Sequence, residues 1–209
     1  MSRLFVGKPS RLVKVVIDTL AGSMLLAVLS PVLAIIAIAI KLDSRGPVLY
    51  RQERVGQSGQ TFRVMKFRTM IPGADQLGAG MKVAHGDSRI TRVGSLLRRA
   101  SLDELPQLFN IVRGDMSLVG PRPTFPAQAA RYTARQRKRL VVKPGLTGWA
   151  QVHGRNSISW SERIEYDIWY VENWSLPLDC LIILKTPRAV LDREGVYGRD
   201  GITRELEDE

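Results

Sequence analysis

Asp103 and Glu104 stand side by side in the stretch Arg98-Arg99-Ala100-Ser101-Leu102-Asp103-Glu104-Leu105-Pro106-Gln107-Leu108-Phe109-Asn110, inside a chain that is otherwise strongly basic. Paired carboxylates among cations suit phosphate chemistry. An ionised Asp can attack phosphorus, as enzymes that pass through an aspartyl phosphate do. Carboxylate oxygens also suit Mg²⁺, which neutralises a diphosphate and improves its leaving group. A purely structural explanation competes: Ser101-Leu102-Asp103-Glu104 fits a capping box, with Ser101 as N-cap and Glu104 at N3. Pro106 would then fall inside the helix, where its missing amide costs a hydrogen bond, so a helix starting at Pro106 itself is an equal alternative. Either start leaves Asp103 near a helix N-terminus, where the backbone dipole and nearby cations are expected to favour its ionised form.

Other segments carry groups that could bind phosphate. In Lys66-Phe67-Arg68-Thr69-Met70, alternation along a strand puts Lys66 and Arg68 on one face and Phe67 on the other. Two such cations could clamp a phosphate, although a solvated strand face is the simpler explanation of that pair alone. Arg122 lies between two prolines in Gly114-Asp115-Met116-Ser117-Leu118-Val119-Gly120-Pro121-Arg122-Pro123. A backbone held this way favours a fixed guanidinium that grips a phosphate with two donors, against the plain alternative of a loop with an exposed Arg. Lys143-Pro144-Gly145-Leu146-Thr147-Gly148-Trp149-Ala150-Gln151-Val152-His153-Gly154-Arg155-Asn156 gathers glycines, cations, an amide and an indole, partners for a base, a sugar or a phosphate. No Walker loop or dinucleotide fingerprint is present.

The chain has 209 residues, enough for one ordinary domain with an anchor. Lys and Arg outnumber Asp and Glu by 31 to 20, a net charge of +11, so polyanions are the natural partners: nucleic acid, anionic lipid or phosphorylated metabolites. Cys180 is the single cysteine and His85 and His153 are the only histidines. That excludes an intrachain disulfide, argues against a Cys/His zinc site and points to a reducing cytosol.

From Thr19 to Ile40 no residue is charged, and a helix of that length, rising about 1.5 Å per residue, covers a bilayer core of roughly 30 Å. Cations flank both ends: Lys8, Arg11 and Lys14 before, Lys41, Arg45, Arg51 and Arg54 after. A positive-inside bias then keeps both ends on the cytoplasmic side. Near the middle, Pro31 removes the amide that would serve the Ala27 carbonyl, and the Ser30 hydroxyl can compensate. The expectation is a re-entrant helical hairpin broken at Ser30 and Pro31. A kinked spanning helix, a secretory signal and a buried soluble helix are the alternatives weighed against it.

Beyond Lys41 the pattern predicts a β-hairpin from Val48–Arg54 and Thr61–Thr69 around Gly56-Gln57-Ser58-Gly59, and a mobile Gly-rich loop from Ile71 to Asp87. An amphipathic basic helix is expected to run to about Ala100, with the ability to lie on anionic lipid. A second cationic helix over Tyr132–Leu140 should stop at Lys143-Pro144-Gly145. Helices over Glu162–Trp174 and Leu178–Leu191 should be split by Pro177, the latter breaking near Thr186 before Pro187. The tail from Gly195 reads as polar and loose.

Taken in order, these segments resemble the bacterial sugar transferase family, the monotopic polyprenol-phosphate phosphoglycosyl transferases, in minimal catalytic form. The resemblance runs from the apolar segment with Ser30-Pro31 through the five motifs around Lys66, Asp103, Arg122, Gly145 and Asp167-Ile168-Trp169-Tyr170-Val171. It implies a mostly helical α+β fold: a re-entrant N-terminal membrane helix over 1–41, a catalytic domain over 42–195 with a small β-hairpin and amphipathic interfacial helices, and a polar tail over 196–209. It implies transfer of a sugar 1-phosphate from a UDP-sugar to a polyprenyl phosphate carrier such as undecaprenyl phosphate, with Mg²⁺, at the cytoplasmic face of the bacterial inner membrane. Asp103 would be the nucleophile and Glu104 its assistant, both near the metal. Arg98 would hold the carrier phosphate, Lys66, Arg68 and Arg122 the diphosphate, and the Gln151 to Arg155 region the nucleotide. His153 stands where relatives often carry Asn. Nucleic acid is not an expected partner, and homo-oligomerisation is left open. A UDP-sugar hydrolase and a non-catalytic basic membrane-attached binding protein are the rival readings; the latter leaves the ordered motifs unexplained.

Overall fold

A computed structural model describes residues 8–77, 83–84, 86–154, 157–191 and 202–203. Helix α1 spans Lys8–Asp43, long and apolar enough by length and composition to cross a membrane. It runs through Pro31 as a single element, so the expected break into two separate arms is not present at Ser30-Pro31. The Ala27 carbonyl that Pro31 orphans instead accepts the Ser30 hydroxyl at 2.8 Å, which repairs the loss within the helix.

The two faces of α1 have different partners. Gly22, Leu25, Leu29, Leu33, Ile36 and Ile40 recur at helical spacing as a buried or half-buried stripe. Leu25 and Leu29 pack on Val64, Leu108, Ile111 and Met116, while Leu33, Ile36 and Ile40 pack on Phe67 and Leu97. On the opposite side Leu20, Met24, Val28, Ile35, Ile38 and Leu42 are each at least 60% exposed. Polar contacts fasten both ends. Lys14 donates to Asp179 at 2.6 Å, and Asp18 accepts the Ser117 hydroxyl at 2.7 Å and the Leu118 amide at 3.2 Å. At the far end Asp43 accepts the Val93 amide at 3.0 Å, and Arg68 donates to the Ser44 carbonyl at 2.9 Å.

The predicted hairpin forms from β1 (Leu49–Val55) and β2 (Thr61–Phe67), antiparallel, with Tyr50 opposite Lys66. Its turn uses left-handed Ser58 and Gly59. In the expected loop, Ala74–Gln76 forms a 3-10 turn, and β3 (Val83–Ala84) pairs with β6 (Ile202–Thr203), so part of the tail read as loose is a strand. Helix α2 (Arg92–Arg99) starts at Thr91, whose hydroxyl accepts the Gly94 amide at 3.0 Å. A 3-10 turn over Leu102–Glu104 leads into α3 (Gln107–Val112). Next come β4 (Ser117–Val119) and α4 (Pro126–Ala130), then β5 (Gly145–Thr147), parallel to β4. Helices α5 (Trp149–Val152), α6 (Trp160–Asn173) and α7 (Leu176–Leu191) follow.

Two helix expectations need correction. The second cationic segment is a 3-10 run over Gln136–Val141, because Arg139 is drawn into the interior to pair with Asp167. Helix α7 continues through Pro187 to Leu191; one lost amide bond in the last turns of a packed helix is tolerated. The glycines around β4 and β5 serve close approach of backbones. A Cβ on Gly145 would lie 2.1 Å from the Gly120 nitrogen, and one on Gly148 would lie 2.2 Å from the Gly120 carbonyl oxygen.

Candidate active site

Asp103 and Glu104 enter a cavity of about 920 Å³ on the short 3-10 turn. The preceding Ser101 is left-handed (φ 53°) and makes no side-chain cap bond, so the capping-box arrangement is not formed. A non-glycine residue in this region is strained and persists where surrounding packing enforces it. Asn110, fully buried in α3, supplies that enforcement. It accepts the Met65 amide at 2.9 Å and donates to the Arg63 carbonyl at 2.8 Å, locking α3 and the turn before it against β2. This lock brings Glu104 to Lys66.

The adjacent carboxylates have opposite electrostatic fates. Arg122 grips Glu104 with two donors at 2.7 and 3.2 Å, and Lys66 donates to it at 2.9 Å. Burial opposes the charge of Glu104, yet Arg122 and Lys66 outweigh burial and hold its carboxyl well below the usual range. Asp103 accepts no hydrogen bond from any described residue and lines the cavity. Desolvation first and the charge of Glu104 second raise its carboxyl to about 6, against the pull of Lys66, Arg98 and Arg122. The expectation that dipole and cations dominate at Asp103 is therefore reversed: burial and the neighbouring Glu104 charge outweigh them. An anionic, accessible carboxylate without a partner is a competent nucleophile near neutral pH.

Most of the expected cations meet here. Lys66, Arg98 and Arg122 line the cavity, and the Thr69 hydroxyl accepts from Arg98 Nε at 2.8 Å. Arg68 also lines it, but its guanidinium donates to the carbonyls of Ser44 and Arg45. β2 ends at Phe67, one residue before Arg68, so strand alternation no longer pairs it with Lys66. Gln151 lines the cavity, and neither end of its carboxamide has a partner among the described residues. Arg155 lies outside the described residues.

Several supporting residues were named in the sequence without a role at the site. Arg139 pairs with buried Asp167 through Nη2, which also donates to the Arg122 carbonyl at 3.0 Å. Arg54 stacks on Phe125 and donates to the Pro123 carbonyl at 3.2 Å. Together they hold the successive carbonyls of Arg122 and Pro123. For Mg²⁺, no group of three or more potential ligands exists among the described residues. Asp103 and Glu104 fit the pattern in which one or two carboxylates share the ion with substrate phosphates.

The sequence matches a family profile described as "Bacterial sugar transferase" over residues 9–193. It is 42% identical over 194 residues to the "Uncharacterized sugar transferase EpsL" of Bacillus subtilis, covering 93% of this chain and 95% of that one. The "UDP-glucose:undecaprenyl-phosphate glucose-1-phosphate transferase" of Caulobacter vibrioides is 45% identical over 195 residues, covering 88% of this chain and 72% of its own length. The "UDP-N-acetylgalactosamine-undecaprenyl-phosphate N-acetylgalactosaminephosphotransferase" of Aeromonas hydrophila is 45% identical over 180 residues. That match covers 83% of this chain and 42% of the Aeromonas protein.

Proposed function

The chain belongs to the bacterial sugar transferase family, and from that membership we propose that it transfers a sugar 1-phosphate from a UDP-sugar to a polyprenyl phosphate, releasing UMP. The observation that carries the reading is the division of labour between neighbours: Glu104 is clamped by Arg122 and Lys66, while Asp103 is left unpaired on the cavity. The Asp103 carboxylate attacks the phosphorus that bears the sugar. The bond from that phosphorus to the UMP oxygen breaks, and UMP leaves with the bonding pair. The carrier's phosphate oxygen then attacks the same phosphorus and returns Asp103 to its free carboxylate. A covalent intermediate lets one carboxylate serve a soluble donor and a membrane-held acceptor in turn.

Lys66 and Arg122 stand where they can pass from Glu104 to the donor's diphosphate, and Arg98, oriented by Thr69, suits the carrier phosphate. Gln151 and Arg155 are assigned to the nucleotide side. Mg²⁺, when bound through Asp103, Glu104 and the donor's phosphates, supplies charge neutralisation for the departing UMP. We assign the protein to the cytoplasmic face of the inner membrane, with α1 embedded from that face. The fastening of both ends of α1 to one domain and its apolar outer face support this reading.

The test is UMP release by protein in nanodiscs with Mg²⁺ and a panel of UDP-sugars, each with and without undecaprenyl phosphate. Carrier-dependent release with one donor is expected. Equal release without carrier would make the protein a hydrolase and overturn the assignment.

A further inference from the structure

One wall of the cavity is built from residues to which the proposed chemistry assigns no contact with substrate. Tyr50, Gln52 and Arg54 alternate along β1 and line the cavity together with Asp75 from the 3-10 turn after β2. They form a continuous hydrogen-bonded row. The Tyr50 hydroxyl donates to Asp75 at 2.8 Å, Gln52 Nε2 donates to the Tyr50 oxygen at 3.2 Å, and Arg54 donates to Gln52 Oε1 at 2.7 and 3.2 Å. The row begins beside the reacting centre, because Tyr50 is the antiparallel partner of Lys66, whose ammonium holds Glu104. Directly paired residues on one sheet face stand only about 4.5–5.5 Å apart at Cβ, close to the width of one pyranose ring.

We propose that the row Asp75–Tyr50–Gln52–Arg54 is the surface that recognises the donor's hexose and sets which sugar is transferred. The inference rests on the transferase reading above. In that reaction the attacked phosphorus carries the sugar directly, whereas the base is set back by a further phosphate and a ribose. The hexose must therefore lie within one ring of Asp103, and this polar wall adjoins the carboxylate pair through the Tyr50–Lys66 pairing and the Lys66–Glu104 bond. Its chemistry fits a polyol: Asp75 gives one oxygen to Tyr50 and keeps a second acceptor, and Gln52 keeps a second Nε2 proton. Because each member fixes the next, the groups are preorganised. A sugar epimer that fails to meet them leaves a polar group unpaired, which is how a site built to bond a hydroxyl rejects its analogue.

The experiment measures binding without turnover. In the Asp103→Asn background, UDP and the UDP-activated glucose, galactose, N-acetylglucosamine and N-acetylgalactosamine are titrated against full-length protein in nanodiscs. The titrations are repeated with Asp75→Asn or Tyr50→Phe added, and thermal melting confirms folding. The expected result is that the preferred UDP-sugar binds more tightly than its epimers. Either added substitution should compress that preference by about tenfold while UDP affinity stays within about twofold. An equal loss for UDP and every UDP-sugar, or an unchanged preference, would overturn the proposal. Neither result depends on the carrier, so a failed transfer assay and a failed sugar-reading wall are told apart.

Discussion

At the residue scale Asp103 lies without a hydrogen-bond partner among the described residues, beside a neighbour clamped by Arg122 and Lys66. Asp103 is raised from 3.8 to about 6, so between those values the folded protein holds a proton that the unfolded chain releases. Stability should therefore fall as pH rises through that window, while nucleophilic activity rises with it. In Asp103→Asn, denaturant titrations from pH 4 to 8 should lose this slope, and turnover should disappear with the fold intact. Glu104 has the opposite sign: its depressed carboxyl stabilises the fold above the ordinary carboxylate range, a contribution lost only as strong acid protonates it. Glu104→Gln should cost about 1–3 kcal/mol in urea unfolding at pH 7, because Lys66 and Arg122 lose their countercharge. The acidic pair, Lys66, Arg98 and Arg122 were legible in the sequence as types and spacings. The pairing of both Arg122 and Lys66 with Glu104 was not, since the two cations arrive from other elements at the same carboxylate. The role of Arg68 was hidden for the same reason: alternation names a face, and the carbonyls of Ser44 and Arg45 name the partner.

At the scale of elements, loops act precisely where buried polar groups bind them to strands. Asn110 ties α3 to β2, and the Arg139–Asp167 pair with Arg54 holds the loop that presents Arg122. Thr69 is the corresponding support for Arg98, buried at 6% exposure with its hydroxyl 2.8 Å from Nε. Thr69→Val should raise KM for the polyprenyl phosphate several-fold while leaving the carrier-independent exchange between UMP and UDP-sugar near wild type. A general fall in both would assign Thr69 to folding alone. The hairpin, α2 and α6 were readable from periodicity and turn residues, because local pattern and tertiary packing agree there. The 3-10 run over Gln136–Val141 was not, because its cations point to a solvated helix while the Asp167 carboxylate pulls Arg139 inward. The expected capping box at Ser101 failed in a similar way, since Lys66 and Arg122 compete for Glu104 and win.

At the scale of the whole molecule, α1 has one face in the core and one face exposed. Its inner stripe completes two hydrophobic clusters, and its outer face exposes a row of large apolar side chains of a kind that marks a membrane-facing surface. Binding dominated by this face should survive about 1 M salt, which removes most surface electrostatics, and yield to detergent. Ile35→Lys with Ile38→Lys should weaken retention on vesicles without changing the melting temperature of the detergent-solubilised protein. The apolar run was legible as a long helix from its length and composition. Its continuity through Pro31 was not, because composition locates the lost hydrogen bond without showing that Ser30 replaces it. Under the proposed reaction a phosphosugar would be held on Asp103 between two substrates that need never meet. The most direct test is intact-protein mass spectrometry after incubation with Mg²⁺ and the preferred UDP-sugar in the absence of carrier. The account predicts one hexose-phosphate adduct, mapped to Asp103, matched by an equal amount of UMP, absent in Asp103→Asn and discharged by undecaprenyl phosphate. Carrier-dependent turnover with no adduct, and no UMP until the carrier is added, would contradict it.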